Sequence, residues 1–164
     1  MARLPNAAMG ERLAGFVYGT IVALAVLVAG ARAFPHEAGH IAVLVLVTSV
    51  VFWLAHVYAH ALGGSVARER RLTLAELRRV GRHEAAIIEA ALVPVAALLL
   101  GALSVISTTA AVWLALGTGL AVLVAEGVLF ARLERLGWLG TLVIVSVNLA
   151  LGVALIGLKL LVTH

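Results

Sequence analysis

A chain of 164 residues that is 63% hydrophobic and only 12% charged lacks the polar side chains to cover a water-soluble globule. Its mean hydropathy of +1.14 argues against a soluble enzyme or binding module, and its length suits one helical bundle without a separate aqueous domain. The net charge of +4 does not point to nucleic acid, because the excess sits in one place: six arginines lie between Arg68 and Arg82 against two glutamates, Glu69 and Glu76.

Runs of about 20 apolar residues, the length that crosses a bilayer as a helix, predict an all-α bundle of five transmembrane helices. They fall near 12–32, 39–62, 84–106, 110–131 and 138–161. The first run holds Gly15 and Gly19, a GxxxG spacing that lets another helix approach closely, within a bundle or between subunits. Arg3 and Arg12 before it and Ala31-Arg32-Ala33 after it are arranged as in a signal peptide. The apolar stretch from Leu13 to Ala31 is longer than a signal-peptide core, so it is read as a membrane helix; cleavage would leave four helices in the same orientation.

Pro35 and Gly39 bracket the first gap, where His36-Glu37-Ala38-Gly39-His40 matches HExxH. The string resembles the zinc-binding helix of some membrane-anchored metalloproteases. That resemblance covers five residues and implies zinc on His36 and His40, with Glu37 as general base. Three departures oppose it. The string opens a helix instead of lying within one, the outer loops offer no third ligand beyond the terminal His164, and the other outer loop is too short to frame a cleft. Proline followed by an acidic residue is also ordinary helix-start chemistry. The chain has no Asp, hence no Ser/His/Asp set, and no glycine-rich phosphate loop, so the expectation leans away from an enzyme. With no Cys there is neither a disulfide framework nor a thiolate metal site.

On the second helix His56 and His60 are one turn apart, and Ser49 and Trp53 continue their face. The string from Val51 to His60 resembles small integral membrane proteins of high-GC bacteria. This implies a multi-pass protein of a bacterial cytoplasmic membrane and brings no mechanism with it. Gly63-Gly64 is expected to end the helix. The basic loop, 63–83, carries Arg68, Arg70, Arg71, Arg78, Arg79 and Arg82, suited to anionic lipid headgroups or a cytosolic partner. Within it Thr73 and Glu76 have capping-box spacing, and Leu74, Leu77 and Val80 recur every third residue. These predict a short amphipathic helix ended by Gly81, with a solvated linker as the alternative.

The third and fourth helices each hold one carboxylate near the same end, Glu89 and Glu126, and Ser107-Thr108-Thr109 connects them tightly. With His56 and His60 they form an expected His/Glu layer. It suits proton handling or a divalent cation held by nitrogen and oxygen donors, although interhelical hydrogen bonding, or pairing of Glu126 with Arg132 at the interface, would also account for it. On the last helix Thr141, Asn148, Gly152 and Lys159 share a face. Asn148 is either a station on a path or a partner for a neighbouring carbonyl. Ser146, Ala150 and Ala154 form a stripe of small residues.

Alternate loops differ in Lys/Arg. Arg3 and Arg12, the six-arginine loop, and Arg132 with Arg135 fall on one side, against Arg32 and Lys159 on the other, so the N-terminus is expected inside and the C-terminus outside. The functional expectation is a small channel or transporter for protons or cations, built as a homo-oligomer, with His56, His60, Glu89 and Glu126 as its inner layer and Asn148 on the way out. A non-transporting scaffold with a basic loop is the alternative, and a zinc hydrolase on His36, Glu37 and His40 the third reading. No resident cofactor is expected beyond such a metal ion.

Overall fold

The computed structural model describes residues 5–67 and 71–162, without the side chains of 5–8, 156 and 158–162. Among the described residues all regular structure is helical: α1 (Pro5–Ala33), α2 (Ala38–Ala67), α3 (Leu74–His83), α4 (Ala86–Ala102), α5 (Thr108–Leu133) and α6 (Trp138–Val162). Helices α1, α2, α5 and α6 are each long and apolar enough to cross a membrane, and α3 with α4, bent by 48°, makes a fifth candidate. Valine-rich runs such as 43–51 have modest intrinsic helix propensity. In an apolar setting, however, a helix is the one way a single segment can pair all its own backbone groups.

Helix α4 is the centre of the bundle, packed against α1, α2 and α5. Its buried residues include Ala86, Ala90, Ala91 and Ala97, whose small side chains let neighbouring backbones come close. Gly15 and Gly19 of α1 lie on this surface, so the GxxxG spacing serves a contact within the chain. Larger side chains fill the space above, among them Leu24 and Leu27 of α1, Ile41 and Val45 of α2, Leu98 of α4 and Leu116 of α5. Helix α6 packs mainly on α5. Its Gly152 meets Leu120 and Leu123, while Ser146, Ala150 and Ala154 face outward.

The outer surface of the long helices carries extended apolar faces. Val43, Val47, Val51 and Leu54 on α2, and Leu139, Leu142, Val143 and Val147 on α6, are each more than 50% exposed. A soluble monomer rarely leaves such continuous apolar faces open. The start of α1 meets the end of α5, where Gly10 lies beside Phe130 and Leu133, and Glu11 pairs with His83 of α3. This basic end is opposed by a second end, where the Thr108 hydroxyl donates to the His36 carbonyl at 3.3 Å and joins the two turns there.

Several boundaries differ from the sequence expectation. Helix α2 continues through Gly63-Gly64 to Ala67. Neither glycine adopts positive φ, so each weakens the helix by about 1 kcal/mol relative to alanine without forming the left-handed turn that stops one. Helix α3 likewise runs two residues past Gly81, which is a buried packing position and not a terminus. The helix expected over 84–106 spans Ala86–Ala102. It closes at Ser104, whose φ is 58°. There the Val105 N–H donates to the Leu100 carbonyl at 2.9 Å and the Ser104 N–H to the Gly101 carbonyl at 3.0 Å, the paired bonds of a Schellman motif. Ser107 then caps α5, which starts at Thr108, by accepting from the Ala110 N–H at 3.2 Å.

Candidate functional site

The site is built where α2, α3 and the beginning of α4 meet. One helical turn separates His56 from His60, so their rings share a face of α2, with centroids 4.4 Å apart and planes at 90°. Thr73 starts α3 by accepting from the Glu76 N–H at 3.3 Å, the cap its spacing predicts. Three residues before His56, Trp53 donates its indole N–H to the Gly81 carbonyl at 3.0 Å. A Cβ on Gly81 would stand 3.2 Å from that ring, so the absence of a side chain is what allows α3 to lie so close to α2.

This anchorage places Glu84 at the bend between α3 and α4. Its N–H donates to the Val80 carbonyl at 2.9 Å, and its own carbonyl accepts from the Ile87 N–H at 3.1 Å. The carboxylate reaches across to α2, with Oε1 3.2 Å from His60 Nδ1 and Oε2 3.6 Å from His56 Nε2. Its side chain is 12% exposed and that of His60 55%, so the carboxylate lies on the floor and the imidazoles at the opening.

Helix α1 closes the third side. Tyr18 stacks on His56 at 5.8 Å and 27° and meets Phe52 edge-on. Glu11, Gly15 and Tyr18 follow one helical face, and Glu11 Oε2 lies 2.7 Å from His83 Nε2. Together these elements enclose a groove of about 1060 Å³ at the basic end, lined also by Gly64, Arg79 and Arg82.

The structure divides the expected His/Glu layer among several places. His56 and His60 enter the groove. Glu89 instead pairs with Arg12 at 2.8 Å on the exposed α1–α4 seam. Glu84 lies in the turn before α4 and Glu89 in its first turn, and the two carboxylates face different helices, α2 and α1. Glu126 is 5% exposed between α1 and α5, its Oε1 accepting from the Thr20 hydroxyl at 3.1 Å, while Oε2 is buried without a hydrogen-bond partner. Asn148 donates to the Leu123 carbonyl at 3.0 Å and ties α6 to α5. This is the neighbouring-carbonyl role open to it from the sequence.

Within the HExxH string, His36 lies in the turn before α2. Glu37 pairs with His40, on which Phe34 stacks at 5.4 Å. Among the described residues the cluster of histidine and acidic side chains with metal-ligand spacing is His56, His60 and Glu84, whose ligand atoms lie within 4.8 Å of one another; the HExxH residues form no such cluster. His164 falls outside the described residues, as do Arg68 and Arg70. Arg71, Arg78, Arg79 and Arg82 are exposed, with Arg79 3.8 Å from Glu76.

Glu84 is the residue that sequence reasoning left without a role. It was noticeable as an acid at the mouth of the third helix, but its part depends on the bend and on the Trp53–Gly81 contact, which join positions 28 apart in the chain. Chemically, two ring nitrogens and a carboxylate converge here, and each nitrogen either donates its N–H to Glu84 or offers a lone pair, according to tautomer. Such a set can share a proton or hold a cation. Comparison with known proteins finds no matching family model, no similar curated protein and no similar solved structure.

Proposed function

We propose that this chain is a multi-pass protein of a bacterial cytoplasmic membrane that passes protons or cations, with the groove between α1, α2 and α3 as its inner docking place. The observation that carries this reading is the convergence of His56, His60 and Glu84 on one groove at the end of an otherwise apolar bundle. Nitrogen and oxygen donors brought together by separate elements make a set that suits a cation.

The apolar faces of α2 and α6 support insertion in lipid. The positions of charge support the orientation: Arg12, the α3 arginines, Arg132 and Arg135 share the basic end, and Arg32 lies at the other, which puts the basic end in the cytoplasm. At about 1.5 Å per residue a helix as long as α2 exceeds a hydrocarbon layer of about 30 Å. His60 and Glu84 then sit at the inner headgroup level, within reach of cytosolic ions. Five spans enclose little space alone, and a second copy against the outward Ser146, Ala150 and Ala154 face of α6 would supply further walls.

The test is flux of protons and of divalent cations in proteoliposomes. Each of His60→Ala and Glu84→Gln should lower it at least several-fold, and undiminished flux in both variants discards the reading.

A second reading is favoured by α3 itself, whose polar and apolar residues divide onto two faces with Arg78, Arg79 and Arg82 exposed. A non-transporting scaffold would hold anionic lipid there. Its signature is lipid binding that is lost when the α3 arginines become glutamine, with no flux in any assay.

A further inference from the structure

We propose that His56, His60 and Glu84 form a binding site for a transition-metal dication of the zinc class, with a remaining coordination position open to the groove. This rests on the groove being the place where a cation docks, and it names the class of that cation.

The three side chains lie within rotamer adjustment of tetrahedral coordination. Metal–ligand bonds of about 2.0–2.1 Å require ligand atoms about 3.3 Å apart along each edge of the tetrahedron. The separations from Glu84 end on different oxygens, 3.2 Å from Oε1 to His60 Nδ1 and 3.6 Å from Oε2 to His56 Nε2, so the carboxylate faces both rings. With one ligand atom from each residue the three fall within 4.8 Å of one another, so binding an ion draws the side chains together by up to about 1.5 Å. The two histidines come from consecutive turns of one helix and the acid from the short turn between α3 and α4, which the packing of α3 on α2 holds in place.

The surroundings support the ligands. Tyr18 stacks on His56 and restrains its ring. The Trp53–Gly81 hydrogen bond holds α3, and thus Glu84, against α2. Among the described residues the remaining charges lining the groove are Glu11, which pairs with His83, and Arg79 and Arg82, of which Arg79 lies beside Glu76. The two arginines oppose a hard dication bound mainly by charge. Imidazole nitrogens bind instead by donating lone pairs, which favours zinc or iron over calcium or magnesium. A site with three protein ligands and an open position can exchange its ion or hold water on it, as a closed four-ligand site cannot.

The experiment uses the full chain in detergent, purified without a polyhistidine tag, titrated with zinc and separately with calcium, followed by calorimetry and elemental analysis. One zinc per chain is expected, with calcium leaving no measurable heat. His60→Ala and Glu84→Gln should each weaken zinc by more than the roughly 10–100-fold that loss of a mere supporting partner costs. His40→Ala and Glu89→Gln should leave it unchanged. Cobalt replaces mutagenesis as a readout should a variant misfold: the intense visible bands of four-coordinate cobalt should appear in the unaltered protein and vanish on adding zinc. No zinc binding, full binding in both ligand variants, or cobalt bands of six-coordinate type would each overturn the site. Proton flux in vesicles without zinc binding removes this inference and leaves the transport reading standing, whereas zinc binding with no flux of any ion does the reverse.

Discussion

Gly19 of α1 and Ile87 of α4 touch backbone to backbone: a Cβ added at position 19 would come within 2.6 Å of the Ile87 carbonyl oxygen and 2.8 Å of its Cα. Both atoms belong to a helical main chain and cannot swing aside. Gly19→Val should therefore separate α1 from the central helix and destabilise the bundle by about 1–3 kcal/mol, the usual cost of overpacking. Gly10→Ala, where nothing lies within 4 Å of the added atom, is the control. Thermal unfolding in detergent compares the two, and equal midpoints would refute the close contact.

Trp53→Phe keeps an aromatic ring against Gly81 but deletes the N–H that its carbonyl accepts. A hydrogen bond of this kind is worth about 0.5–1.5 kcal/mol net. Because it fastens α3 to α2, the loss should appear locally. Amide hydrogen exchange over Leu74–His83 should accelerate several-fold while that of α5 stays unchanged. Uniform acceleration across the chain would show that the bond has no special hold on α3.

How much of this arrangement can be read without coordinates depends on the range of the interaction concerned. Composition and run length suffice for the helical class, because a segment with no polar partners outside itself has one way to pair its backbone. The Thr73 cap is legible because it spans three residues. Boundaries at Gly63-Gly64 and Gly81 are not, since a glycine stops a helix only where the chain turns left-handed, and here its neighbours keep it helical. The pairing of His56 and His60 follows from helical spacing. Their acidic partner does not, because Glu84, Glu89 and Glu126 look alike in sequence and differ only in which helix each one faces.

Ser104 and Arg135 hold positive φ angles of 58° and 53° at the ends of α4 and α5, positions where helices ordinarily carry glycine. A side chain in this conformation costs about 1 kcal/mol relative to glycine. Ser104→Gly and Arg135→Gly should each raise the thermal midpoint, and the pair should act additively because the two turns lie at opposite ends of the bundle. A lowered midpoint for Ser104→Gly would mean that its side chain contributes more than its backbone strain removes.

Glu84→Gln and Glu89→Gln make the same chemical change five residues apart and should behave differently. Glu89 and Arg12 are 40% and 64% exposed, so their ion pair is worth about 0–1 kcal/mol and its loss should leave both stability and cation flux nearly unchanged. Glu84 lies beneath two imidazoles, and its amide should reduce flux at least several-fold. Equal loss of flux in both variants would restore Glu89 to the path and detach function from the groove.

Glu126 and Thr20 form a polar contact inside the bundle, remote from the groove in its partners. The Thr20 hydroxyl has a single proton and two oxygen neighbours, the Phe16 carbonyl at 2.9 Å and Glu126 Oε1 at 3.1 Å. Since Oε2 has no partner, Thr20 is the hydrogen-bond partner that this carboxyl group has among the described residues. Thr20→Val preserves shape and removes that partner, so a buried carboxyl is left with neither oxygen satisfied, at a cost of about 1–3 kcal/mol. Changing Glu126→Leu in the Thr20→Val background removes the stranded group as well, and should recover most of the loss because apolar pairs of similar volume can replace buried polar ones at little cost. Unfolding midpoints of the two single variants and the double variant form a thermodynamic cycle. A coupling near zero would show that the carboxyl finds its satisfaction elsewhere, whereas a coupling above about 0.5 kcal/mol identifies the pair as a structural tie between α1 and α5.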